Sequence, residues 1–229
     1  MRFLLLLLCM FFTLLGCENN QTKVKTPSIE EKKDVPKFYT NEEVAAENKT
    51  LLNKKTAVEF LKEYGKNNPE TKVRLKTSLG DIDVLLYRDT PLHRANFIFL
   101  VKEGYYSAVQ FHRVVKNFII QAGRSDTPEA GAMRKKIGSY KIPAEFNGRK
   151  HHWGALSAAR KWDYNPKKVS DTYEFFIISN KKGSHHLDNE HTVFGKVIKG
   201  MDVVMAINNS ETYNEWPVKE VHIEAIVLD

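Results

Sequence analysis

The side chains able to do chemistry are few, and they stand in apolar surroundings. Arg113 and Gln121 lie in the run Phe111-His112-Arg113-Val114-Val115-Lys116-Asn117-Phe118-Ile119-Ile120-Gln121-Ala122-Gly123. Histidines come in pairs, His151-His152 and His185-His186, with His191 close behind. Such pairs invite a metal reading, because neutral imidazole is a common metal ligand. Adjacent residues of a strand point to opposite faces, however, and no Asp or Glu spacing completes a site. No metal is expected, and the pairs read as loop or surface histidines. Taken singly, Arg113 reads as a solvated strand residue, and Gln121 or His191 carries no message. The chain holds no Gly-x-Gly-x-x-Gly, no Gly-Lys-Ser/Thr phosphate loop, no His-Glu-x-x-His and no Gly-x-Ser-x-Gly. Nucleotide-driven and triad chemistry therefore lack support.

The two cysteines, Cys9 and Cys17, both lie near the N-terminus. A disulfide framework, a cysteine zinc site and a thiol nucleophile in the main domain are excluded. Arg2 precedes the apolar run Phe3 to Leu15, too short for a comfortable membrane span. The run ends Leu14-Leu15-Gly16-Cys17, which resembles a bacterial lipobox. Residues 1–16 are read as a lipoprotein signal peptide, with Cys17 as the lipidated residue. The protein is then expected in a bacterial cell envelope, anchored to a membrane on its periplasmic side by acyl chains. The 229 residues give one substantial domain plus appendages, and 42% hydrophobic residues suit a packed core. The net charge of +7 is spread over both signs. With no basic stripe, no nucleic-acid partner is expected.

Residues 17–39 are polar, contain Pro27 and Pro36, and read as a flexible tether. Residues 40–66 read as an N-terminal helical extension. Thr40 and Glu43 fit a capping box, and the spacing predicts a helix over Asn41–Tyr64, or two joined near Asn48, with Gly65 as the stop. Beyond Pro69 the pattern changes to alternation. Val73, Leu75, Ile82, Val84 and Leu86 flank Ser78-Leu79-Gly80-Asp81 as a hairpin. Thr90-Pro91 starts a helix that stops at Gly104, with Thr90 as the cap. Strands are predicted over Gln110–Val115, Phe118–Ala122, Gly154–Ala159, Glu174–Ile178, Thr192–Val197 and Val218–Val227, with a second helix over Met201–Asn208. This is a mainly β fold, and alternation alone leaves barrel and sandwich open.

Several blocks then recur in a telling order. They are Thr77-Ser78-Leu79-Gly80-Asp81-Ile82, Ala95-Asn96-Phe97, Gly104-Tyr105-Tyr106, Phe111–Gly123, Ile142-Pro143-Ala144-Glu145-Phe146, Gly154–Arg160, Phe175-Phe176-Ile177, Leu187-Asp188 and His191–Val197. Together they resemble the cyclophilin-type peptidyl-prolyl cis–trans isomerases from about Lys72 to the C-terminus. The resemblance implies a closed antiparallel eight-stranded β-barrel capped by two helices over residues 70–229. It also implies an isomerase that needs no cofactor and acts on proline-containing segments of unfolded or exported proteins, expected as a monomer.

The same resemblance assigns residues. Arg113 would donate to the proline nitrogen of the twisted amide. Phe118, Ile119, Phe176 and Leu187 would seat the proline ring, with His191 at the edge. Gln121 would bond the carbonyl side of the substrate, and the backbone around Ala158, Ala159 and Arg160 would pair with the extended peptide. Three positions depart from the family. Glu174 replaces a glutamine; it cannot donate to a carbonyl and could pair with Arg113. Tyr173 replaces a small residue and would narrow a neighbouring specificity pocket. His186 replaces a tryptophan, which implies weak cyclosporin binding. Glu174 and Tyr173 keep a second reading in view, a proline-segment-binding chaperone or assembly module with weak turnover, and the N-terminal helix a third, a structural role at the envelope.

Overall fold

The structure, a computed structural model, describes residues 51–228. The signal stretch, the tether, Cys17 and the Thr40–Glu43 capping pair lie outside the described residues. Eight strands share one sheet: β1 (Lys72–Thr77), β2 (Gly80–Leu86), β3 (Phe111–Val115), β4 (Ile119–Ala122), β5 (Ala155–Ala158), β6 (Phe175–Ile178), β7 (Val193–Lys199) and β8 (Glu224–Leu228). Their lateral order is β8-β1-β2-β7-β5-β6-β4-β3, and every pairing is antiparallel.

The expected closed barrel is corrected to an open, curled half-barrel. The edge strands β8 and β3 do not pair. Only an isolated bridge, Gln110 to His222, spans the seam, with Phe111 N–H donating to Val221 O at 3.0 Å and Ile223 N–H to Val109 O at 3.1 Å. The physical reason is that the free edge of β3 is already occupied. A small hairpin, Thr212–Tyr213 with Trp216–Pro217, lies there, and Val114 N–H donates to Glu215 O at 2.7 Å. The strand expected from Val218 accordingly starts only at Glu224.

Four helices accompany the sheet among the described residues: α1 (Ala57–Asn67), within the expected N-terminal extension, the two expected of the domain, α2 (Pro91–Lys102) and α4 (Met201–Asn208), and one not expected, α3 (Pro128–Ile137). Thr127 caps α3, accepting from Ala130 N–H at 3.3 Å, and Pro128 opens its first turn. Helix α1 begins later than the spacing predicts. Leu52–Asn53 pairs with Gly138–Ser139, and Asn53 Oδ1 accepts from Lys55 N–H at 2.8 Å, which fixes a turn where helix was expected. Gly65 does not stop the helix. Its missing side chain lets α1 approach α2, where an added Cβ would lie 3.0 Å from Ala95 Cβ. Thr90 does not cap α2 either. Its hydroxyl donates to Tyr87 O at 3.2 Å, and Glu145, far along the chain, accepts from Leu92 N–H and His93 N–H at 3.0 Å each. A carboxylate at a helix N-terminus is favoured by the exposed amides there.

The core lies between one sheet face and α2, with Phe97 against Phe175, Tyr106 and Phe194. Helix α1 packs on α2 through Phe60 and Tyr64 around Phe99. Buried Arg94 joins the two helices, donating to Gly65 O and Asn68 O at 2.7 Å each and to Glu70 O at 3.2 Å. Gly65 O lies in the last turn of α1 and Asn68 is its C-cap, where helix carbonyls lack partners within the helix, and Glu70 O lies in the link to β1. We expect Arg94→Ala to lower the unfolding free energy by about 3 kcal/mol, through loss of charge-assisted bonds to buried carbonyls. Urea unfolding measures this, and a loss below about 1 kcal/mol would count against the clamp.

Candidate active site

Residue parity builds the site. On β4, Ile120 and Ala122 face the core, so Ile119 and Gln121 face the other way. On β6, Phe175 and Ile177 face the core, and Phe176 and Ile178 the opposite side. The register then sets Arg113 opposite Gln121 and Gln121 opposite Phe176, with Val115, Ile119 and Ile178 in the next row. A second apolar cluster grows on that face: Ile119, Ala155, Ala159, Phe176, Ile178, Leu187 and Val193, flanked by Phe118 and Tyr87. The structure therefore brings together four residues read from sequence as a proline seat, namely Phe118, Ile119, Phe176 and Leu187. His191 meets Phe176 edge to face at 5.2 Å, and His186 stacks on Phe118 at 5.4 Å.

Polar groups line the same face in a chain. Arg113 Nε donates to Glu215 Oε2 at 2.6 Å, and its Nη1 reaches Gln121 Oε1 at 3.4 Å. Gln121 Nε2 donates to Glu174 Oε2 at 2.8 Å, and His112 Nε2 lies 3.6 Å from the same oxygen. The pairing of Glu174 with Arg113 raised by the sequence is corrected. Gln121 stands between them, and a carboxylate needs a donor, which fixes the glutamine amide with its oxygen toward Arg113. Asn208, buried on α4, holds the β3–β4 turn: its Oδ1 accepts from Asn117 N–H at 3.0 Å, and its Nδ2 donates to Val115 O at 2.9 Å.

The backbone at Ala158–Arg160 is partly committed within the protein. Ala159 N–H donates to Glu174 O at 3.0 Å, and Ala159 O accepts from Asp171 N–H at 2.7 Å. Ala158 O accepts from His191 Nδ1 at 2.9 Å. The pairing edge expected over these residues is thus narrowed to Arg160, whose own N–H and C=O make no hydrogen bond among the described residues. Its side chain is locked by Glu190, with Nε on Glu190 O and Nη2 on Oε2, both at 2.5 Å. Tyr173 donates to Gly138 O at 2.6 Å and packs on Tyr105. It is one wall of a cavity of about 250 Å³ that also touches Gly123, Arg134, Asp171 and Glu174. The narrowing expected from Tyr173 leaves this room beside the site.

Burial sets the charge states. It pushes His191 down to about 4, despite the Ala158 carbonyl, so the ring is neutral at physiological pH. Burial also lowers His151, against the pull of Asp188. Burial would raise Asp188, but bonds from the His151 N–H and ring and from His185 outweigh it and hold the carboxyl at about 2. Asp188, His151 and Ser157 form a line, with His151 Nδ1 and Nε2 each 2.9 Å from their partners. The order imitates a hydrolytic triad, yet Ser157 is fully buried. The line instead ties the Leu187 turn to β5, with His151 stacked on Phe176.

Sequence reasoning missed Asn208, Glu215 and Trp162. Trp162 stands 5.3 Å from His191 with the Arg160 guanidinium over its ring at 4.3 Å. Glu215 had a signal, since Tyr213-Asn214-Glu215-Trp216 reads as a two-residue turn with Asn first. Asn208 and Trp162 had none, because the contacts that bring them to the site, Asn208 with Val115 and Asn117 and Trp162 with His191, span long stretches of sequence.

Known proteins resemble this chain in sequence and fold. Residues 72–228 match the family described as "Cyclophilin type peptidyl-prolyl cis-trans isomerase/CLD". A peptidyl-prolyl cis-trans isomerase of Acinetobacter baylyi is 40% identical over 167 residues, covering 67% of this chain and 85% of that protein. One from Arabidopsis thaliana is 37% identical over 155 residues, covering 66% and 89%. Among solved structures, a cyclophilin-type isomerase of Cryptosporidium parvum matches with a TM-score of 0.59 and 26% identity, over 70% of this chain and 98% of that one. The same protein in the presence of the dipeptide Ala-Pro matches at 0.58 and 25%, over 69% and 99%.

The neutral His191 gives a signed prediction. Unfolded, the ring titrates near its ordinary 6.5; folded, it titrates at about 4. Between these values only the unfolded chain binds the proton. The stability is therefore complete above about pH 6.5 and is lost as pH falls toward 4, by on the order of 3 kcal/mol. His151 acts in the same direction. We expect His191→Phe to reduce this slope in urea unfolding at pH 7 and 5. An unchanged slope would refute the buried neutral ring.

Proposed function

The chain belongs to the cyclophilin-type peptidyl-prolyl cis–trans isomerase family, and from that premise we propose how its own residues carry the reaction. It is a peptidyl-prolyl cis–trans isomerase. Rotation about an X–Pro bond meets a barrier of about 18–20 kcal/mol set by amide resonance. No covalent bond breaks, so the reaction calls for positioning and electrostatics rather than a cofactor. In the twisted state the proline nitrogen regains a lone pair. Arg113 donates to it, and guanidinium does not titrate near neutrality. The ring rests on Phe118, Ile119, Phe176 and Leu187, with neutral His191 at the edge. Gln121 faces the carbonyl side, and the Arg160 main chain pairs with the peptide. A barrier lowered by about 7 kcal/mol corresponds to roughly 10⁵-fold in rate.

The observation that carries this reading is the row Arg113–Gln121–Phe176, set on the face that bears the second apolar cluster. The weak-turnover reading drew on Glu174 and Tyr173. Glu174 binds Gln121 rather than Arg113, and Arg113 Nη2 makes no hydrogen bond among the described residues. The substrates are proline-containing segments of exported proteins, met by a monomer held at a bacterial membrane through lipid on Cys17. The proline-containing substrates and the monomer rest on the family likeness, and the bacterial membrane and the lipid on the N-terminal residues.

Proton NMR exchange on a proline peptide tests the chemistry. Arg113→Ala is expected to lower catalysed exchange 10²–10³-fold, the usual effect of deleting a transition-state donor. Equal rates for both proteins would sink the assignment. Fractionation tests the anchor: Cys17→Ser should move the protein from the membrane to the soluble fraction, and unchanged membrane association would reject lipidation there.

A further inference from the structure

Glu215 occupies a backbone position that suits glycine. Tyr213 pairs with Trp216, and Asn214 and Glu215 turn the chain between them at φ 48° and 68°. Two successive left-handed residues make a turn whose second corner favours glycine. Asparagine tolerates such a φ, and a longer side chain does so poorly. Strain of this kind persists where the surroundings enforce it, often near function. Among the described residues the Glu215 carboxylate makes one hydrogen bond, from Arg113 Nε at 2.6 Å. The hairpin needs no carboxylate to stay in place, because Glu215 O already accepts from Val114 N–H at 2.7 Å.

The contact fixes a plane. A guanidinium is flat, with its donors in a rigid fork. Nε is held by Glu215 and Nη1 is turned toward Gln121 Oε1. Nη2 makes no hydrogen bond among the described residues, so one edge of the fork is left for substrate. We infer that Glu215 is a positioning residue for Arg113. Its carboxylate, carried at a strained turn corner, holds the guanidinium in the orientation that meets the proline nitrogen. This rests on the proposed role of Arg113.

The test compares Glu215→Gly, Glu215→Gln and Arg113→Ala by NMR exchange over a range of peptide concentration, with thermal melting alongside. Exposed ion pairs are weak, so the expected loss is about three- to fivefold in kcat for both Glu215 variants, with KM unchanged. Glycine relieves the turn, so Glu215→Gly should melt at the wild-type temperature or above it while losing rate. In the Arg113→Ala background, Glu215→Gly should cost no further rate. Wild-type kcat in either Glu215 variant, with Arg113→Ala impaired, overturns the inference alone. A Glu215→Gly variant that loses rate and melting temperature together also overturns it, since that marks a structural role. An Arg113→Ala variant with the wild-type rate would instead overturn the reading of Arg113.

Discussion

Each residue of a strand faces the side opposite to its neighbour, and both sides are dry in β6 and, apart from half-buried Gln121, in β4. One side meets α2 and the main core; the other meets the smaller cluster of Phe176, Ile119 and Leu187. Everything at the site hangs on this doubled burial. A one-residue slip of β4 would carry Gln121 into the core and Ile120 to the site, stranding an amide away from Arg113 and Glu174. Such a buried unpaired group is costly. Local features hold the register. Asn208 fastens the β3–β4 turn. At the other end Gly123, at φ +102°, lets the chain pass the Tyr173 carbonyl, where a Cβ would stand 2.0 Å away.

The charges follow from the same geometry. Arg113, Gln121 and Glu174 sit on three adjacent strands or their ends, so the amide lies between the cation and the anion and can serve both. A glutamine at position 174 would leave the orientation of the Gln121 amide undecided. The carboxylate decides it, because only the NH₂ end can meet it. His191 is neutral for another reason. It is wedged between Phe176, Trp162 and the Ala158 carbonyl, where burial outweighs the carbonyl's pull. His191 thus adds no cation to the seat.

What the sequence made legible was whatever repeats locally. Strand alternation located β1 and β2, a short apolar run located β6, and Thr90-Pro91 located α2. The ordered blocks located Arg113, Phe118, Gln121, Phe176 and Leu187. What it hid was pairing over distance. Glu145 caps α2 from some fifty positions away, so Thr90 took the credit on spacing alone. The expected closure failed because the Thr212–Pro217 hairpin occupies the edge of β3, and nothing in the alternation of Val218–Val227 announces a neighbour. Helix α3 carried the same Thr-Pro start as α2 at Thr127-Pro128, but its weak apolar face offered no period to follow.

The half-open state of Arg113 bears on how it would act. Its side chain is 37% exposed and paired to an exposed carboxylate. In that setting water screens the charge and the guanidinium does little. A peptide lying over Phe118 and Phe176 would displace that water from one side only. In the proposed role of Arg113, the field at Nη2 would then strengthen where the proline nitrogen is to lie, while the Glu215 side would stay solvated and keep the cation's cost of burial low. Ground-state amide nitrogen, with its lone pair delocalised, gains almost nothing from this field; the twisted amide gains much. The interaction is thus stronger at the top of the barrier than before it, which is the condition for catalysis rather than mere binding.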